Sequence, residues 1–147
     1  MIRPTATTTI SARPDDVIRF IADPVNAPRW MRALESSELI TDGPIGAGSR
    51  FREVQSAGGE RIETICEVVE YDGETRYAWK SVSDGPVQYA GAFTAHALDA
   101  GTELRYEGWA TATGRLAVRE AAWGRQAQRE AEAELAAVKA ALEASVG

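Results

Sequence analysis

The 147-residue chain has one cysteine and one histidine, a deficit of positive charge, and no long apolar run. Cys66 has no second cysteine to pair with, so an intramolecular disulfide and a cysteine-based metal framework are both excluded. His96 is the only histidine, and with a single thiol it offers too few ligands for a dedicated zinc or Cys–His site. No metal and no other cofactor is therefore expected. Acidic residues number 22 against 16 basic ones, a net charge of −6, which argues against nucleic acid or an anionic membrane surface as the main partner. No apolar run approaches the ~20 residues of a membrane span. The opening MIRPTATTTI lacks the apolar stretch of a secretory signal, so a cytoplasmic location is expected. The glycines of GPIGAG (43–48) do not keep the dinucleotide-binding spacing and read as a turn.

What remains is an ordinary globular composition, 44% hydrophobic and 26% charged, long enough for one domain over residues 1–147. A chain of this size buries roughly 70% of the surface its unfolded form exposes. Thr5–Ile10 is rich in β-prone threonine and predicts a strand. Pro14 suits a first helical turn, with Asp15 and Asp16 complementing the dipole, and Val17, Phe20 and Ile21 give that helix an apolar face before Pro24 ends it. A second short helix is expected from Asn26 through Trp30 and Met31. Turn signals then recur at strand-like intervals and delimit Leu34–Thr41, Ser49–Gln55, Arg61–Tyr71, Thr75–Ser83, Val87–Leu98 and Glu103–Ala112. The connections are too short for crossovers, so antiparallel hairpins follow.

The period of two assigns faces. Ile62, Thr64, Cys66 and Val68 alternate with Glu63 and Glu67 and should point inward. Tyr77 and Trp79 share one face, as do Val87, Tyr89, Gly91 and Phe93, and as do Leu104 and Tyr106. With Phe51 inward, Glu53 and Gln55 follow it. His96 falls on the outer parity, and Cys66 reads as a small buried hydrophobe. Trp109 also falls outward, where it would mark a homodimer contact, unless a bulge at Gly108 turns it in.

Residues Gly114 to Gly147 form the one long helix-like stretch. Leu116, Trp123, Ala127, Ala131, Val138 and Leu142 make its stripe, with Leu135 at the edge and Arg129, Glu132, Lys139 and Glu143 outward. Glu120 interrupts the stripe. Either the helix end frays to let it reach water, or it faces a wet or ligand-filled space, because a buried charge without partners is costly. Gly124 permits close packing or a bend.

A strand, two short helices, an antiparallel sheet and a long final helix is a layout that resembles the START/Bet v 1-like helix-grip superfamily, and within it the polyketide cyclase/dehydrase-like group. The resemblance is carried by Ala12 to Val17, by Ala22-Asp23-Pro24 followed by Trp30, by Asp42 to Phe51, by Gly101 to Leu104, and by Leu135 to Lys139 with Leu142-Glu143. It implies an α+β fold in which a curved sheet of about seven strands wraps the C-terminal helix. It also implies a small hydrophobic partner, aromatic or polyketide-like, held in a cavity between sheet and helix. The walls would come from Trp30, Phe51, Tyr77, Trp79, Tyr89, Phe93, Tyr106 and Trp123, each of which could equally be plain core. The alternative is a cyclase or dehydratase with Glu53, Glu120 and Tyr89 as acid/base groups, although Glu53 could instead sit at a strand edge in water. A further alternative is a protein-interaction module with a filled interior and an exposed apolar patch around Trp109.

Overall fold

The structure, a computed structural model, describes residues 1–57, 59–85 and 87–144, with the side chains at 57, 60, 115 and 116 left aside. Strand β1 (Thr5–Ile10) leads into α1 (Pro14–Ala22), a 3₁₀ turn (Pro24–Asn26) and α2 (Ala27–Trp30). Six strands follow: β2 (Leu34–Leu39), β3 (Arg50–Ala57), β4 (Glu60–Tyr71), β5 (Arg76–Ser81), β6 (Val87–Leu98) and β7 (Gly101–Ala112). A 3₁₀ segment (Gly114–Arg119) then precedes α3 (Glu120–Ala144). The seven strands form one antiparallel sheet in the order β1-β7-β6-β5-β4-β3-β2, so each hairpin pairs with its successor and β1 closes on β7. This is the expected helix-grip arrangement. No helix among the described residues is long and apolar enough to cross a membrane.

Local chemistry explains the elements. Pro14 opens α1 with its fixed φ, and Val17, Ile18, Ile21 and Ala22 bury one face against the sheet. Ile18, rather than Phe20, completes that face; Phe20 is half-buried and the Arg29 guanidinium lies 5.1 Å over its ring. Between β4 and β5, Asp72 Oδ1 accepts backbone N–H groups from Glu74, Thr75 and Arg76 at 2.8–2.9 Å, which shapes the hairpin.

Helix α3 is gripped in two ways. Its buried face is Ala131, Leu135 and Val138, so Leu135 lies at the centre of the stripe, not its edge. The Leu116 side chain of the expected stripe lies outside the described residues. Along its flank, Gln128 both donates to Thr5 O (2.7 Å) and accepts from Thr5 N (3.0 Å), while Glu143 accepts from Ser11 N at 3.0 Å. Lys139 donates to Thr9 O. Lys139 and Glu143 are therefore not simply solvent-facing; Lys139 and Gln128 occupy backbone groups of the edge strand β1, and Glu143 that of Ser11 just after it, where the edge would otherwise be open to strand addition.

Two glycines set the inner surface of the sheet. Gly91 and Gly108 are direct partners across β6 and β7, and Gly91 also pairs with Trp79 of β5. A Cβ on Gly91 would lie 2.7 Å from the Trp79 ring, and one on Gly108 would lie 2.5 Å from the Tyr106 hydroxyl. Only hydrogen at both positions lets these rings lie flat on the strands. Trp79 then stacks on Tyr77, Phe93 and Tyr106 at centroid separations of 5.4, 5.6 and 6.2 Å.

Candidate functional site

The concave face of the sheet does not close fully onto α3. A cavity of about 160 Å³ remains, walled on one side by Tyr89, Tyr106 and Thr64 and on the other by Trp123, Ala127 and Glu134 of α3. All four tryptophans of the chain line it: Trp30, Trp79, Trp109 and Trp123. A smaller chamber of about 30 Å³ lies next to it under α1 and α2, lined among others by Phe51, Glu53 and Tyr77. Trp30, Met31 and Trp79 line both spaces and so stand between them. At roughly 10–15 Å³ per water the smaller chamber has room for two or so, and the larger for a small organic molecule.

The period of two on β3 turns Phe51, Glu53 and Gln55 to the same side, and Glu53 pairs directly with Thr64 of β4. Glu53 is 3% exposed and forms no ion pair among the described residues. Gln55 Nε2 donates to its Oε2 at 2.7 Å, and the Cys66 thiol is a second donor. Burial outweighs both hydrogen bonds and raises the carboxyl from 4.5 to about 7. Cys66 is pushed up to about 12, by its own burial first and then by the neighbouring Glu53 charge, so it stays a thiol. Its Sγ lies 3.4 Å from the Tyr89 hydroxyl, which Gln55 Nε2 also approaches at 3.5 Å. Burial, followed by the Glu53 charge, raises Tyr77 and Tyr89 far above the ordinary phenol range. Glu53, Gln55, Cys66, Thr64 and Tyr89 thus form one connected cluster of neutral donors around a single carboxyl, running from the small chamber to the large one.

The expected site residues fall into four places. Tyr89, Tyr106 and Trp123 line the large cavity, and Phe51, Tyr77 and Glu53 the small one, with Trp30 and Trp79 shared. Phe93 lines neither: it is 0% exposed, packed between Trp30 (5.6 Å, edge-on), Trp79 and Tyr106, and serves as core behind the cavity wall. Glu120 is a correction as well. It borders a surface groove with Met1, Ile2 and Gly124 and pairs with the Met1 amino group, away from either chamber. Glu120 is the first residue of α3 and keeps phase with Trp123 and Ala127, but that first turn borders Met1 and Arg3 and not the cavity lining.

The carboxylate that does enter the cavity from α3 is Glu134, with Glu130 one turn earlier. Burial, then the charges of Glu130 and Glu53, raises Glu134 from 4.5 to about 8. Its signal was in the sequence: it follows Ala131 by three and precedes Val138 by four, both on the buried face. Trp109 also lines the cavity and is half-buried, not an exposed contact. It reaches there without a bulge, since the β6–β7 register runs unbroken from Val87↔Ala112 to Leu98↔Gly101. His96 is exposed, as its parity implied. Among the described residues one buried side-chain polar atom has no partner, the Trp30 indole N–H, in a residue that is 4% exposed and borders both chambers.

Comparison with curated protein sequences finds no match. Among solved structures, a Thermus thermophilus protein superposes with a TM-score of 0.83 at 22% identity, covering 99% of each chain. The Zhui aromatase/cyclase of Streptomyces sp. R1128 gives 0.78 at 24% identity, over 99% of this chain and 95% of that one. A START superfamily protein of Mycobacterium smegmatis gives 0.80 at 14% identity, over 97% of each. At these identities the likenesses show a shared fold. The family model described as polyketide cyclase / dehydrase and lipid transport matches residues 1–143, nearly the whole chain with its cavity-lining strands and helix, and the chain belongs to that family.

Proposed function

We propose that the protein binds a small, largely apolar molecule, aromatic or polyketide-like, in the cavity between sheet and α3. The observation that carries this reading is the convergence of all four tryptophans on one cavity of about 160 Å³. A core built only for stability closes such a space, because each void forfeits dispersion contacts. Flat aromatic walls with a few placed polar groups are the usual form of a small-molecule site. The interaction-module alternative requires a filled interior and an exposed Trp109, and neither fits this cavity. The test is native mass spectrometry of the protein mixed with a panel of aromatic and polyketide-type compounds. One-to-one adducts that are lost on Ala127→Phe, which fills the cavity, are expected. Absence of any adduct, or adducts indifferent to that substitution, would overturn the reading.

A second reading, acid/base catalysis on the bound molecule, is favoured by Glu53. A carboxyl near pH 7 can both accept and release a proton at neutral pH, and the Tyr89 hydroxyl beside its partners could hold a substrate oxygen. In this reading the reacting end of the molecule passes between Trp30 and Trp79 toward the smaller chamber, where Glu53 removes a proton from carbon next to a substrate carbonyl and returns it to the departing or newly formed hydroxyl. Single-turnover kinetics with a substrate found by the binding screen decide it: Glu53→Gln should abolish turnover and leave substrate affinity within a few-fold. Unchanged turnover in that variant would remove the catalytic role.

A further inference from the structure

We infer that the ligand of this cavity carries a positively charged nitrogen on its apolar body, held between tryptophan rings and the carboxylate of Glu134. The inference rests on the cavity being a ligand site and adds the one chemical feature that its lining selects. The larger cavity is lined by two acidic residues, Glu130 and Glu134, and among the described residues by no lysine, arginine or histidine. The smaller chamber adds Glu53, again with no base. Gln126 Nε2 donates to Glu130 at 3.2 Å, whereas Glu134 has no hydrogen-bond or ion-pair partner among the described residues.

Once ionised, Glu134 faces this aromatic space with reduced hydration, and a neutral ligand would return none of it. An acidic ligand would be repelled by the Glu130 charge and, once they ionise, by Glu53 and Glu134. A cationic ligand is met twice, by the carboxylate and by the negative faces of the indole rings, the combination that recognises quaternary ammonium groups.

The charged and titratable groups around Glu134 are few. Glu130 lies on the same helix, Glu53 reaches it from β3, and Tyr106 faces it from β7. Strand β1 has no ionisable residue, and the only one on α2, Arg29, sits over the Phe20 ring. With the cavity empty, burial holds Glu134 near 8, so its proton is retained at pH 7 and must leave when a cation binds. Glu53, near 7, acts in the same direction. Affinity for a permanently charged ligand therefore climbs as pH rises from 6.5 to 8.5, by about tenfold, while that of an uncharged ligand stays flat.

The experiment compares phenyltrimethylammonium with its near-isosteric neutral counterpart tert-butylbenzene by calorimetric or displacement titration at pH 6.5 and 8.5. The cation should bind about tenfold tighter at pH 8.5, with the gap narrowing at pH 6.5 and closing to within about threefold in Glu134→Gln. If Glu134→Gln does not fold, the wild-type pH pair decides alone. Equal affinities at both pH values, or tighter binding of the neutral probe, overturn the cationic preference while leaving the cavity as a ligand site. Failure of both probes to bind overturns the site itself, and this inference with it.

Discussion

Replacing Glu53 with glutamine removes a buried carboxyl while keeping its shape and an oxygen for Gln55 Nε2 to donate to. The consequence for stability follows from linkage. In the folded protein Glu53 holds its proton up to about pH 7, whereas in the unfolded chain it ionises near its ordinary 4.5. Between those values the folded state binds more protons than the unfolded one, so stability falls as pH rises from 4.5 to about 7 and is then level for this group. The gap between about 7 and 4.5, at 1.36 kcal/mol per pH unit, sets the full penalty at about 3 kcal/mol. Because the side chain is 3% exposed, solvent screening takes little from that figure. Glu53→Gln should therefore be about 3 kcal/mol more stable than wild type at pH 8.5, or about 10 °C in Tm, and indistinguishable from it near pH 4.5. Urea denaturation of both proteins at several pH values between 4.5 and 8.5 measures the difference directly. A residual decline extending to about pH 8 should persist in the variant, from Glu134. Parallel profiles with a constant offset would refute the reasoning, because they would mean that the Glu53 carboxyl titrates alike in both states.

Gly91→Ala should cost about 1–3 kcal/mol in thermal or chemical denaturation, and weaken ligand binding, since its Cβ would displace the Trp79 ring from the strand. Leu135→Ala, at a residue 2% exposed under the centre of α3, should cost about 2–5 kcal/mol in the same assay. Glu120→Gln, by contrast, should leave affinity for any cavity ligand within about twofold, because Glu120 borders neither chamber; a larger loss measured by titration would return it to the site.

The fold was legible because three independent patterns agree on it: the apolar spacing of α1, the recurrent turn residues between Asp42 and Gly101, and the period-two faces of β4 to β7. The strand ends moved by two residues at most, as at β2, which stops at Leu39 where Thr41 was expected. The sheet-side half of the site was also largely readable. Parity alone places Glu53 and Gln55 with Phe51, and Tyr89 with Gly91. The helix side was not. A helical wheel gives the side of a helix on which a residue lies, not how far along the helix the cavity runs: Glu120 keeps phase with Trp123 but sits in the first turn beside Met1, whereas Glu134, seven residues after Ala127, lines the cavity. Trp109 escaped for a different reason. Parity gives the side of a strand on which a residue lies, but not which residues border a cavity at the end of the sheet, where Trp109 and its β6 partner Ala90 both do.

The central claim is that one cavity, walled by every tryptophan in the chain, receives a ligand. Its most direct test is ¹⁹F NMR of protein carrying 5-fluorotryptophan, titrated with a soluble aromatic probe such as 2-naphthol. The resonances of Trp30, Trp79, Trp109 and Trp123 should all shift and saturate along one binding curve. Resonances that stay fixed at high probe concentration, or a shift confined to a single tryptophan, would contradict it.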